Sequence, residues 1–153
     1  MARLLHPLLG LALVACAAQQ TPQAELASSP PPAPLPNATM ATAQPLPRGV
    51  TVEGALSCGQ VAWFILPARP NELLRVEIQG QAQEHALGAN VIVTAVASTG
   101  QDLTAVELPV FAQSPNWESR PLEAMVPPIP PPFYLRVQQT ESCQRAAFRV
   151  RVP

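Results

Sequence analysis

The sequence predicts an all-β protein whose folded part is one antiparallel β-sandwich of about seven to eight short strands. The first observation is a two-residue apolar period, in which Leu74, Val76 and Ile78 share one face of a strand and polar residues separate them. The second is a set of short runs rich in β-branched and aromatic residues, such as 61–66 and 90–98. The third is polar turn sequence between these runs, without an apolar repeat of helical period.

The predicted strands follow one another from residue 50 to the C-terminus. They are expected at 50–53, 61–66, 72–79, 90–98, 103–111, 133–138 and 148–152. The last two are expected to form a hairpin around a turn at 141–143. Residues 112–132 are predicted to be irregular, and the Pro run 127–132 within them is interpreted as a stiff connector that cannot pair as a strand. A displayed polyproline ligand is the alternative for that run.

The N-terminus has the order of a secretory signal. One basic residue, Arg3, precedes an apolar run from Leu4 to Ala15, which is too short to span a bilayer. The segment Leu13-Val14-Ala15-Cys16 resembles a bacterial lipobox. That resemblance implies that 1–15 is a lipoprotein signal peptide and that Cys16 is lipidated. It also implies a protein anchored to the membrane of the bacterial cell envelope, the outer membrane rather than the inner one because Ala17, not Asp, follows the Cys.

Residues 16–47 are predicted to be the lipidated Cys and a disordered tether. The stretch 17–47 contains eight Pro, many Ala, Gln and Ser, and Glu25 as its one charged residue. Such a composition cannot bury enough apolar surface to offset the entropy of ordering the chain. The β-sandwich domain is therefore expected over 48–153.

The three Cys residues fit an oxidising compartment. With Cys16 taken by lipid, Cys58 and Cys143 remain and are predicted to form a disulfide. The bridge would close a loop of about 85 residues and stabilise the domain by roughly 4 kcal/mol in the chain-entropy model. Two free buried thiols are the alternative.

Composition argues against several functional classes. Beyond residue 15 the chain has eight Arg, ten acidic residues and no Lys, a net charge of about −2 that gives no support for nucleic-acid binding. His85 and Asp102 are the single His and Asp of this part, and no nucleophile motif accompanies them. Clustered zinc or calcium ligands are also missing. We therefore expect no enzyme activity, no cofactor and no metal site.

The order of the elements resembles the bacterial pre-peptidase C-terminal domain over about residues 49–152. The matching segments are Val52-Glu53-Gly54-Ala55-Leu56, Val61-Ala62-Trp63-Phe64-Ile65-Leu66-Pro67-Ala68, Leu73-Leu74-Arg75-Val76-Glu77-Ile78, Asn90-Val91-Ile92-Val93 through Gly100-Gln101-Asp102-Leu103, Phe133-Tyr134-Leu135-Arg136-Val137 and Ala147-Phe148-Arg149-Val150. The resemblance implies a jelly-roll-like sandwich that acts as a non-catalytic accessory module. Gly88-Ala89-Asn90 stands where some members carry acidic calcium ligands, so calcium is not expected.

Trp117 is the leading candidate for binding. It lies between Asn116 and Arg120 in the segment predicted to be irregular, where a flat aromatic ring could stack on a sugar or anchor a protein contact. Its alternative role is to fold back over an open edge of the core. Trp63, inside an apolar strand, is predicted to be core.

A basic stripe is the second surface feature. Arg136, Arg149 and Arg151 are predicted to share the outward face of the last hairpin. They are interpreted as solvated residues paired with Glu on a neighbouring strand, with anionic lipid or lipopolysaccharide as the alternative partner. The sequence thus predicts a lipid-anchored envelope protein with a non-catalytic binding or accessory module, or alternatively a structural subunit of an envelope complex. Its partners would be the membrane, through Cys16, and an envelope polymer, glycan or protein.

Overall fold

A computed structural model describes residues 33–82, 89–110, 116–140 and 145–153. These residues form one short 3-10 turn, Met40–Thr42, and nine β-strands. The strands are β1 (Gln44–Pro45), β2 (Thr51–Leu56), β3 (Val61–Leu66), β4 (Leu73–Ala82), β5 (Ala89–Val96), β6 (Asp102–Val110), β7 (Glu118–Met125), β8 (Phe133–Thr140) and β9 (Ala146–Arg151).

The strands form two sheets, which confirms the predicted β-sandwich. The five-stranded sheet has the order β1-β3-β8-β5-β6, and the four-stranded sheet has the order β2-β9-β4-β7. Neighbouring strands are antiparallel except for β1, which runs parallel to β3. Residues of alternating burial along β3, β4 and β8 show that each of these strands packs one face on a shared core.

Two glycines allow large side chains to fill that core. Gly54 and Gly80 lie on either side of Phe148 in the register of the four-stranded sheet. A Cβ atom on Gly54 would lie 2.4 Å from the Phe148 ring, and one on Gly80 would lie 2.7 Å from Val110. Phe148 in turn packs edge-on against Phe64 of the other sheet, with ring centroids 6.1 Å apart. The missing side chain of Gly54 therefore leaves room for the Phe148 ring, and that of Gly80 leaves room for Val110 and Leu108.

The folded part begins earlier than the sequence indicates, within the predicted tether of 16–47. The Asn37 side chain donates a hydrogen bond to the Trp63 carbonyl at 3.0 Å, and the Trp63 N–H donates to the Asn37 carbonyl at 2.8 Å. Leu46 is 1% exposed. Pro45 can take part in β1 because that strand is at the edge of its sheet, where a missing N–H is tolerated. The disordered tether is thus the wrong description for 37–46, while 16–32 lies outside the described residues.

A strand also lies in the stretch 112–132 that was predicted to be irregular. In β7, Leu122 and Ala124 are buried and alternate with exposed residues, and Pro121 is tolerated at an exposed position because β7 is at the edge of its sheet. The Pro run 127–132 then connects β7 in one sheet with β8 in the other, as expected of a connector, and Ile129 packs partly on the core.

The predicted hairpin of the last two strands is wrong. β8 lies between β3 and β5 in the five-stranded sheet, whereas β9 lies between β2 and β4 in the four-stranded sheet. The alternation of apolar residues identifies the buried face of each strand, and an arch between two sheets produces the same alternation as a hairpin. Arg136 is consequently on a different outer surface from Arg149 and Arg151.

Candidate functional site

An aromatic cluster lies on the outward face of the five-stranded sheet. In β3 the inward positions are taken by Ala62, Phe64 and Leu66, so Trp63 points outward and is half-buried rather than part of the core. Tyr134 of β8 is also half-buried on this face, and its ring meets Trp63 edge-on with centroids 6.3 Å apart and planes at 82°. The prediction that Trp63 is a core residue is wrong because an unbroken apolar run has two faces.

Arg136 connects the aromatic cluster to β6, at the far edge of the same sheet. It is the cross-strand neighbour of Trp63, and its guanidinium carbon lies 5.7 Å from the centroid of the indole ring. Its Nη2 donates to Asp102 Oδ2 on β6 at 3.0 Å, so the side chain reaches across β5. Thr94 and Val96 of β5 lie on the same outward face, in register with Arg136 and Tyr134, yet each of them is only 1% exposed. We call Trp63, Tyr134, Arg136 and Asp102 the outer aromatic site.

The surroundings of the outer aromatic site are largely apolar. Val61, Ile65 and Ile92 are half-buried on the same face. The charged residues that the described strands place there are one Arg, in the site itself, and two acids, Asp102 and Glu107. The described strands therefore place few charges on this face, whose composition is that of a contact surface rather than of a solvated one.

Trp117 and Arg120, two of the predicted binding residues, contact different neighbours. The half-buried Trp117 ring lies against the guanidinium of Arg149, whose carbon is 4.0 Å from the ring centroid. Arg120 is in register with the inward-facing Ile78, and its Nη1 donates to the Glu107 carbonyl on β6 at 3.3 Å. Asn116 is exposed. Trp117 thus shares its site with an arginine of the four-stranded sheet, and the trio of 116, 117 and 120 remains a prediction.

The outward face of the four-stranded sheet is occupied by ion pairs between neighbouring strands. Arg149 binds Glu53 at 2.7 Å, Arg151 lies 3.9 Å from Glu77, and a third pair, 3.9 Å apart, joins β4 to β7. This arrangement confirms that Arg149 and Arg151 pair with Glu on adjacent strands. The opposite charges balance, so this face offers no excess charge to a ligand.

Arg48, in the segment before β2, binds the C-terminal residue and the loop between β3 and β4. Its Nη2 donates to the Pro67 carbonyl at 3.1 Å and binds the Glu72 carboxylate, which also accepts the Arg69 backbone N–H at 2.9 Å. The Arg69 N–H is the main cause that lowers the pKa of Glu72 below its ordinary value of 4.5; burial opposes it, and the Arg48 guanidinium lowers the pKa further. The Arg48 Nη1 also donates to the carbonyl of Pro153, at 3.5 Å.

Several predicted site residues lie outside the described part of the chain. These are Cys16, His85 and Cys143. Cys58 lies in the loop after β2, and the last residue of that strand, Leu56, pairs with Ala146 at the start of β9. The described backbone therefore brings the loop of Cys58 to the end of the sheet where β9 begins, and the disulfide stays a prediction.

No group of three or more His, Cys, Asp or Glu side chains suited to a metal ion occurs within the described ranges. The same ranges contain no helix with the length and apolar character needed to cross a membrane.

Fold and site together define a β-sandwich with an outward aromatic cluster. Comparisons with protein-family models and with curated proteins found no match. Among solved structures, the chain is similar to one described as "CBM4 structure and function", with 11% identity and a TM-score of 0.45 over 58% of this chain and 55% of the other. It is also similar to "Family 16 Carbohydrate Binding Module-2", with 16% identity and a TM-score of 0.35 over 63% and 70%. At these TM-scores neither similarity says anything about a ligand of this chain.

Proposed function

We propose that this chain is a lipid-anchored protein of the bacterial cell envelope and that its sandwich is a non-catalytic binding module. The observation that carries the proposal is the position of Trp63 and Tyr134, which touch each other on the outward face of the five-stranded sheet. Tryptophan and tyrosine are enriched at the energetic centres of interfaces, because they combine a large apolar area with a polar tip.

The immediate neighbours of the two rings support a binding role. The Arg136–Asp102 ion pair adds hydrogen-bonding groups at one side of the rings, and the Asp102 side chain is 54% exposed. Binding surfaces commonly combine an aromatic centre with a few polar groups that orient the ligand. A Ser-His-Asp catalytic arrangement would need the carboxylate of Asp102 beside a His, and in this structure that carboxylate is bound by Arg136.

A structural subunit of an envelope complex is the second candidate. Val61, Ile65 and Ile92 extend the apolar character of the same face beyond the aromatic rings. Leu73 and Met125, which are paired across β4 and β7, are 62% and 65% exposed on the other sheet. Partly or fully exposed apolar side chains of this kind also suit a protein partner.

Site-specific photocrosslinking on intact cells separates these candidates. One variant carries a photoreactive residue in place of Gln138, which is half-buried on the outward face beside the outer aromatic site. The matched control replaces Gln79, which is half-buried on the outward face of the other sheet. Glycan adducts formed from position 138 and not from position 79 would support the binding module. A single protein adduct from position 138 would support the subunit, and the absence of adducts there would refute this face as the binding surface.

The lipid anchor is tested separately. Cys16→Ser removes the residue that the lipobox would modify. The variant is expected to leave the membrane fraction, because the lipid chains proposed at Cys16 are then missing. Retention of the variant in that fraction, at the level of the unaltered protein, would refute anchoring at this position.

A further inference from the structure

The outer aromatic site combines two kinds of surface, aromatic and polar, next to each other. Trp63 and Tyr134 supply aromatic rings, and Arg136 with Asp102 supplies a donor and an acceptor beside them. A pyranose sugar has the matching division, with C–H groups on its faces that pack on aromatic rings and hydroxyl groups around its edge that both donate and accept. A peptide that binds by adding a strand would instead need an unpaired strand edge, and β3 and β8 are paired on both sides.

The length of the site fits a short oligosaccharide. Trp63 lies on β3 and Asp102 on β6, with β8 and β5 between them, so the backbones of these two strands are about 14 Å apart. The side chains come closer, because the Arg136 guanidinium carbon lies 5.7 Å from the Trp63 ring centroid and its Nη2 lies 3.0 Å from Asp102 Oδ2. A ligand that packs on the Trp63 ring and also binds Asp102 crosses the strands beyond that ring, as a short oligosaccharide can.

The charge of the face favours a neutral ligand. The Arg136 Nη2 is already bound to Asp102 at 3.0 Å, and Arg120 lies beside Glu107, where its Nη1 donates to the Glu107 carbonyl. An anionic polymer would meet no excess positive charge and would have to compete with the Asp102 carboxylate for the Arg136 guanidinium. The hydroxyl groups of a neutral sugar can bind beside the existing pair without breaking it.

The other tryptophan provides an internal comparison. The Arg149 guanidinium lies 4.0 Å from the centroid of Trp117, whereas the Arg136 guanidinium lies 5.7 Å from that of Trp63. The closer contact in the first pair uses a ring face that a sugar would need. Trp117 also has no second aromatic ring in contact with it within the described residues.

From these observations we infer that the outer aromatic site binds a neutral oligosaccharide across the strands of the five-stranded sheet. The inference rests on the proposed binding function and names the ligand class for that same surface.

The test is calorimetric titration of the purified full chain in detergent. The probes are neutral chito-, cello- and malto-oligosaccharides of one to six units, with oligogalacturonates of equal length as anionic controls. At least one neutral series is expected to bind, with an affinity that rises with chain length, and the oligogalacturonates are expected to bind at least about tenfold more weakly. Tighter binding of oligogalacturonate, or no binding of any neutral series, would overturn the inference.

Variants locate the binding surface. Trp63→Ala is expected to weaken binding by at least about tenfold, as loss of a central aromatic does at other interfaces. Trp117→Ala is the matched control and is expected to change the affinity by less than about twofold. Asp102→Asn alters an exposed side chain and leaves the rings in place, so it tests the polar edge even if the Trp63 variant fails to fold, and a several-fold loss is expected. Equal affinities of the Asp102 variant and the unaltered chain, or a larger loss for Trp117→Ala than for Trp63→Ala, would refute this placement.

Failure of this inference differs from failure of the proposed function. A protein crosslinked from position 138, together with no binding of neutral oligosaccharides, would support this face as a binding surface and refute the oligosaccharide as its ligand. The absence of any adduct from position 138 would refute the face itself as the binding surface.

Discussion

Replacement of Gly54 by Ala tests the packing that holds the two sheets together. The added Cβ would lie 2.4 Å from Phe148 Cζ and 2.7 Å from Cε1, well inside van der Waals contact. The Phe148 ring cannot move freely, because it is 2% exposed and packs against Phe64. Overpacking of this kind costs about 1–3 kcal/mol. Loss of glycine's freedom in the unfolded chain offsets about 0.4–1 kcal/mol of that, so we expect a net loss of about 1–2 kcal/mol.

The assay is urea unfolding of the full chain followed by tryptophan fluorescence, with Gly54→Ala, Phe148→Leu and the double variant compared. Leu lacks the ring atoms that the new Cβ would meet, so the double variant is expected to be more stable than the sum of the single effects predicts. A coupling free energy of about 1 kcal/mol or more would support the clash, since contacting residues show about 0.5–3 kcal/mol. Single effects that add within about 0.3 kcal/mol would refute the reasoning, as would a Gly54→Ala chain that is as stable as the original.

Two further predictions concern the ends of the sandwich. Peptide mass mapping without reductant should recover Cys58 joined to Cys143, and reduction should lower the free energy of unfolding by roughly 4 kcal/mol; alkylation of both thiols without reductant would contradict the bridge. The pKa of Glu72 is lowered in the fold, so its stabilising contribution is present above the ordinary value of 4.5 and is lost as the pH falls through the lowered value. Glu72→Gln should therefore reduce stability at pH 7 by less than about 1 kcal/mol, with a difference that shrinks below pH 4.5. Glu123→Gln, which alters an exposed pair 3.9 Å apart, is the control and should have little effect at either pH.

The strands that the sequence predicts correctly are those with both an apolar period and clear turns at their ends. In β4, Leu74, Val76 and Ile78 are buried as their spacing predicts, because each occupies the inward position of a strand with one solvent-facing side. β7 was missed although Leu122 and Ala124 have the same spacing, because Pro121 disrupts the local signal for a strand.

The first residues of the folded part escaped prediction for a different reason. Leu35 and Leu46 are isolated apolar residues in a Pro-rich stretch, and a local window contains too little apolar surface to order itself. They become ordered against the rest of the fold. β1, which ends just before Leu46, adds in parallel to the edge of β3, and both leucines pack on the core. That edge is a property of the tertiary structure and has no signal in the local sequence.

The outer aromatic site depends on the same kind of information. Trp63, Arg136 and Asp102 are separated by tens of residues, and they meet because β3, β8, β5 and β6 are neighbours in one sheet. The sequence could have indicated the outward direction of Trp63, since the small Ala62 and the large Phe64 on either side of it occupy the core face. It could not have supplied the strand order, because a period-two pattern shows which face of a strand is buried but does not determine which strands lie next to it.

The two outer faces of the sandwich differ in what they leave for a ligand. On the four-stranded sheet, Arg149 is shared between Glu53 and the ring of Trp117, so a ligand would have to displace existing contacts before it gained any. On the five-stranded sheet, one ion pair lies beside two aromatic rings, and the apolar residues around it are covered only in part. Desolvation of half-buried apolar surface is favourable, whereas separation of paired charges is not. The free-energy balance therefore favours the sheet that contains Trp63 as the proposed binding surface, although Trp117 is the tryptophan that stands out in the sequence.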